Sequence, residues 1–204
     1  MTINIEKKHL VIVAIALGVV LLATLGLGAS KNSTYMKRAK NCQKDVTMLY
    51  YSSSLLSAAI HDVWAEYIRD DKKYFDESTG KFYKNRWDLD YCSNFSEAIA
   101  EIQEYYEDKG VNNYIDSLYI SVKGLMTKMT SAPKKYSEIH ANINSLFHTA
   151  EAMYNCASSP EGSLLSYTDA INTLSADYKK QSSQVDIEIG ELSDDELNDE
   201  KVKC

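Results

Sequence analysis

The side chains able to do chemistry in this chain are four cysteines, four histidines and many serines and carboxylates. Cys42, Cys92, Cys156 and Cys204 show no Cys-x-x-Cys spacing, so neither a zinc ribbon nor a thioredoxin-like pair is indicated. Four cysteines allow three pairings. In an oxidising compartment the helix order derived below brings Cys92 and Cys156 to one end of the fold, which favours that bridge. Cys42–Cys204 is the weaker pairing, because Cys204 ends a charged tail. In a reducing compartment all four are thiols, and Cys42 on its apolar seam is a small buried hydrophobe.

Histidine offers the one metal-ligating pattern. His140, Asn144, His148 and Glu151 fall on one helix, with His148 and Glu151 one turn apart. A di-iron bundle needs Glu-x-x-His in that order on two helices, with further inward glutamates. Here the order is reversed and occurs once, and the residues flank the apolar seam. They read as polar boundary residues, so no metal or other cofactor is expected. His61-Asp62 on the first helix follows the seam residue Ile60 and points away from it. No Gly-x-Ser-x-Gly elbow, phosphate-binding glycine loop or EF-hand loop occurs. Glu101, Glu104 and Asp108 are helix-spaced carboxylates that a solvated face explains. The expectation is a protein without catalytic residues. The stretch KFYKNRWDLDYC at 81–92 lacks helical period, and its Phe82, Tyr83, Trp87 and Tyr91 form the best candidate binding surface.

These residues need elements to hold them. Two prolines and eight glycines in 204 residues are too few breakers for a many-turned β fold. The fold class expected is all-α: an N-terminal transmembrane helix, an up-down four-helix bundle and a disordered acidic tail. From Tyr35 a four-three spacing predicts a helix over about 35–76, with the seam Ala39, Cys42, Val46, Leu49, Ser53, Leu56, Ile60, Val63, Tyr67, Asp70 and Tyr74, in which Ser53 and Asp70 are polar entries. Leu55, Ala59 and Trp64 widen that stripe. Asn94 and Glu97 form a capping box that opens a helix over about 94–131. Gly110 interrupts it, and the apolar phase restarts at Ile115, which predicts a kink or a break. Pro133 opens a third helix, 133–157, with the seam Ile139, Ile143, Leu146, Ala150, Met153 and Ala157. Ser159-Pro160-Glu161 reads as the start of a fourth, 160–187. The bundle thus covers 31–185. Residues 188–204 are too acidic to order themselves.

Leu10 to Ala29 contains no charge over twenty residues, and as a helix it would span ~30 Å, the hydrocarbon thickness of a bilayer. Residues 1–9 form a short basic lead, and 10–30 read as a signal-anchor, or as a signal cleaved after Ala29. The net charge of −7 is uneven. Residues 31–45 carry five cations against one acid, and 186–204 carry eight acids against two lysines. No basic stripe suits nucleic acid, whereas the basic cluster beside an apolar segment suits anionic headgroups. The cations following the segment outnumber Lys7 and Lys8 before it, which argues for a cytoplasmic bundle. The short basic lead, the even cysteine count and the Tyr-, Ser- and Asn-rich domain argue for the outer face, and the second set is preferred. Asn32-Ser-Thr34 and Asn94-Phe-Ser96 fit glycosylation acceptors.

The sequence therefore leads to a single-pass membrane protein whose bundle contacts other proteins outside the cell membrane. A small-ligand or metal-binding bundle using the His140–Glu151 face is a second reading. A cytoplasmic, membrane-tethered adaptor is a third. No family is signalled by these motifs.

Overall fold

A four-three apolar seam cannot be buried by one helix alone, and the computed structural model supplies the neighbours. It describes residues 31–69, 73–76, 81–84, 94–129 and 132–201. The segment 1–30, Trp87, Tyr91, Cys92 and Cys204 lie outside the described residues. Among those described, five α-helices, one 3-10 turn and one β-hairpin occur, and no helix is long and apolar enough to cross a membrane. The helices are α1 (Lys31–Arg69), α2 (Phe95–Asp108), α3 (Val111–Lys128), α4 (Ser137–Ser158) and α5 (Leu164–Lys201). The chain forms two compact units, one on 58–114 and the other on 31–57 with 115–201.

In the unit on 58–114, Ile60, Val63 and Trp64 of α1 and Ala98, Ile99 and Ile102 of α2 are buried. The helix expected to reach residue 76 stops at Arg69, and strands β1 (Lys73–Asp76) and β2 (Lys81–Lys84) pair antiparallel after it. The register sets Tyr74 opposite Tyr83 and Phe75 opposite Phe82. Aromatic residues have high strand propensity, and strand pairing here outweighs one further turn of helical period. Asn94 caps α2 as expected, its side chain accepting from the Glu97 N–H at 3.1 Å. The expected interruption is a break: Gly110 takes φ 71° and its N–H donates to the Glu107 carbonyl, ending α2. The Asn112 amide then donates to the Gln103 carbonyl at 3.2 Å and holds the new helix start against the old one.

The other unit is a helical bundle, and its side-chain contacts give the helix directions. Gln43, Thr47 and Tyr50 of α1 meet Asp186, Tyr178 and Ser175 of α5, in opposite order along the two helices. Asn142 and Thr149 of α4 meet Glu188 and Gln181 of α5, again in opposite order. Asp116 and Tyr119 of α3 meet Tyr154 and Glu151 of α4 in the same antiparallel sense. Cys42 of α1 meets Met126 of α3. The seams in this unit are buried as their spacing requires: Val46, Leu49, Ile143, Leu146, Ala150 and Met153 have no exposed surface. Each large apolar side chain removed from water in this way contributes ~1.5–3 kcal/mol. Leu55 does not join the stripe; it is 40% exposed, because its angular position on α1 faces away from the neighbouring helices.

Four of the fifteen tyrosines find their reason in a repeated contact. Tyr50 and Tyr178 stack at 3.6 Å, and Tyr119 and Tyr154 stack at 4.3 Å. In each pair both hydroxyls donate to the residue three positions before the opposing ring. Tyr50 reaches Ser175 and Tyr178 reaches Thr47; Tyr119 reaches Glu151 and Tyr154 reaches Asp116. Two antiparallel helices are clasped in each case by two rings and two hydrogen bonds. Phenylalanine would keep the stacking and lose the bonds.

The last helix differs from expectation at both ends. It starts at Leu164 rather than residue 160, because Ser163 and Ser166 cap it reciprocally. The Ser166 N–H donates to Ser163 Oγ at 3.1 Å, and the Ser163 N–H donates to Ser166 Oγ at 2.9 Å. Gly162 at φ 90° turns the chain into this cap, a backbone that cannot belong to a helix, so Pro160 remains in the loop. At the other end α5 continues through Gly190 to Lys201, where a disordered tail was expected. Extending an already packed helix adds one hydrogen bond per residue without a new nucleus, and no proline stops it. The helix is already packed where the acidic run begins, since Val185 and Glu188 are both buried.

A methyl group at position 162 would lie 2.7 Å from Ser166 Oγ on a backbone that disfavours any side chain. Gly162→Ala is expected to lower stability by about 1–2 kcal/mol in urea unfolding. A variant as stable as the parent would show that the cap at Ser163 does not hold α5.

Candidate functional site

The residues expected to bind or catalyse are distributed as follows. Phe82 and Tyr83 occupy strand β2, while Trp87 and Tyr91 lie outside the described residues. Cys42 and Cys156 carry free thiols. Their expected partners Cys204 and Cys92 lie outside the described residues. His61 sits beside Asp62 at 3.4 Å on an outward part of α1. Among the described residues no group of three His, Cys, Asp or Glu is arranged to hold a metal.

The three candidates on α4 do not act together. His140 engages α1, its Nδ1 lying 3.2 Å from the Tyr35 hydroxyl, while Tyr35 stacks on Tyr136 at 4.9 Å. Burial pushes the Tyr35 phenol up to about 12, so it stays a neutral hydrogen-bonding group. His148 and Glu151 instead belong to a polar cluster between α3 and α4. Glu151 accepts from the Tyr119 hydroxyl at 2.6 Å through one oxygen, and its other oxygen lies 3.4 Å from His148 Nδ1. Lys123 donates to the same Tyr119 hydroxyl at 3.2 Å and stands over its ring.

The electrostatics follow from that geometry. The Tyr119 hydrogen bond, ahead of His148 and Lys123, holds the Glu151 carboxyl below its ordinary range. Hydrogen bonding to Tyr119 raises Lys123. Both partners are thereby kept charged at neutral pH, and neither is poised to exchange a proton. Glu151 has an oxygen committed to each neighbour, so its position serves the α3–α4 clasp before any metal.

Other functional-looking groups were not legible from spacing. Glu188 belonged by sequence to a tail, yet it is buried on α5, one oxygen accepting from Asn142 and from Gln184 at 2.9 Å. Its second oxygen is buried without a hydrogen-bond partner. Asp116, Tyr119 and Tyr154 had one available signal, a polar residue three positions before a tyrosine, which recurs at Thr47 and Ser175. Tyr51 and Leu55, one turn apart on α1, are 56% and 40% exposed, and Tyr51 sits edge-on to the Tyr50–Tyr178 stack. Ile120 and Leu165 are exposed singly.

Cys42 is fully buried, with its thiol 3.3 Å from the Met126 sulfur. Burial, then the nearby Asp45, pushes its pKa up to about 12. Burial also raises the Cys156 thiol, which is only half-buried.

No protein-family model, curated protein or solved structure matches the chain.

Two outcomes follow from these contacts. Tyr119→Phe should return the Glu151 carboxyl toward its ordinary range and cost about 0.5–1.5 kcal/mol. A depressed folded pKa gives stability that is present above the unfolded carboxyl pKa and lost as pH falls through the folded value. The variant should therefore lose less stability on acidification than the parent, as read from urea midpoints across pH; identical slopes would deny Glu151 this role. Cys42, with on the order of one thiolate in ten thousand at pH 8, should alkylate only as fast as the protein unfolds. Cys156 should label earlier in the same iodoacetamide pulse, and equal rates would contradict the burial of Cys42.

Proposed function

We propose that this protein is a single-pass, membrane-anchored helical bundle that contacts other proteins at the outer face of the cell membrane, without enzymatic activity. The anchor is the uncharged stretch 10–29, whose length suits a bilayer. The observation that carries protein contact is the outward face of α1. Tyr51 and Leu55 stand in solvent one turn apart, beside a rigid tyrosine stack that fixes Tyr51 in place. A large amphipathic ring with little freedom to lose on docking, next to an aliphatic side chain, is what contact surfaces use.

The test is a photo-crosslinking side chain placed at position 51 of the full chain in its native membrane. One discrete adduct is expected, lost with Leu55→Glu and absent when the probe sits at the exposed Asp177 on α5. The same smear at both positions, or no adduct at 51, would refute a docking face there.

A second reading, the same bundle tethered on the cytoplasmic side, is favoured by the cations following the apolar stretch. Thiol counting on denatured, unreduced protein from the native host separates the two. Four reactive thiols would move the bundle inside.

A further inference from the structure

We infer that the α1 end of the bundle carries a lipid-contacting edge, assembled by the fold, that seats the domain on anionic phospholipid headgroups. The inference rests on the anchored reading above and adds to it a surface and a partner.

In the sequence the dense basic cluster lies near the start of α1. The fold adds others from distant parts of the chain. Tyr35 stacks on Tyr136, so the 3-10 turn Lys134–Tyr136 lies level with the first turns of α1. Cys42 touches Met126, so the last turn of α3 lies at the same end. Lys37, Arg38 and Lys40 of α1 are therefore joined by Lys128, Lys134 and Lys135, and all six are exposed. Lys135 stands over the Tyr136 ring at 5.4 Å, which holds its ammonium at the rim. Judged by helical rise, the six lie within roughly 15 Å of the start of α1 along its axis. That is the depth over which a headgroup layer and its screened potential act on flexible lysines.

Acids at this end are placed differently. Glu138 is exposed on α4, Asp45 is half-buried on α1, and Glu188 is buried. The remainder follow one another along α5 from Asp186. The contacts join α1 to α5, α5 to α4, α4 to α3 and α3 back to α1. In that ring α5 adjoins α1 and stands opposite α3, so the acids of α5 border α1 on one side, and the edge running from Arg38 on its other side to Lys128 and the 3-10 turn is the basic one. One partner is held beside this end by the chain itself, the membrane that takes the apolar stretch, since Ala29 precedes Lys31 by two positions in the sequence.

The experiment uses the full chain in nanodiscs of phosphatidylcholine alone or with phosphatidylglycerol added. At low salt the anionic lipid should raise the unfolding midpoint of the bundle, followed by circular dichroism, by about 2–6 °C. The gain should vanish in high salt. It should also vanish in the triple variant K128Q/K134Q/K135Q, whose midpoint in neutral discs serves as its own reference. A gain that survives the triple substitution, or equal midpoints for the parent in both lipids, would overturn the lipid-contacting edge while leaving the anchor intact. Failure of the chain to insert into either disc would overturn the anchor, and the edge with it.

Discussion

The contact on which the bundle depends is the tyrosine clasp. A hydrophobic seam tells a helix which side to bury, but it is nearly indifferent to sliding by one turn along a partner. Two rings stacked face to face, each with its hydroxyl bonded three residues back on the opposite helix, are not indifferent. Tyr50–Tyr178 sets the register of α1 on α5, and Tyr119–Tyr154 sets that of α3 on α4. A slip of one turn would break both hydrogen bonds and leave two phenols part-buried and unsatisfied, at roughly 1–3 kcal/mol each. Burial raises the Tyr178 and Tyr154 phenols, which keeps them protonated and able to donate.

This arrangement explains why chemistry-bearing residues in the bundle read as structural. Glu151 and His148 have the types of a ligand pair, but Glu151 is the acceptor that completes a clasp. His140 pairs with the Tyr35 hydroxyl at the α1 end. Glu188, which has no sequence signature of burial, is where α5 meets an amide from α4 and one from its own previous turn. What stays outward and unused by the clasps is the Tyr51–Leu55 face and the basic edge, and the functional proposals attach to those two surfaces.

Much of the fold was legible because its signals are local. The seams of α1 and α4, the Asn94 cap and the break at Gly110 each depend on residues within a few turns of one another. The misreadings share one cause. Residues 73–76 continue a plausible helical period, yet pairing with Lys81–Lys84 makes them a strand. Ser159-Pro160 has the composition of a helix start, yet Gly162 and the Ser163–Ser166 box place the start four residues later. The acidic run after Gly190 looks unable to order itself, and it does not have to, because it extends a helix already packed through Val185 and Glu188. In each case a neighbour or a cap outside the reading window decides between two locally acceptable states.

What the sequence by itself determined is the helical class, the apolar faces and the uncharged stretch of bilayer length, since periodicity and composition alone set which surfaces must leave water. What only the tertiary structure decided is which helices meet and at what register. Lysines from positions 37 and 135 come to one end, and tyrosines from 50 and 178 come to one stack, through contacts between residues about a hundred positions or more apart. Linear spacing holds no record of such contacts, because their free energy appears only once the helices are packed.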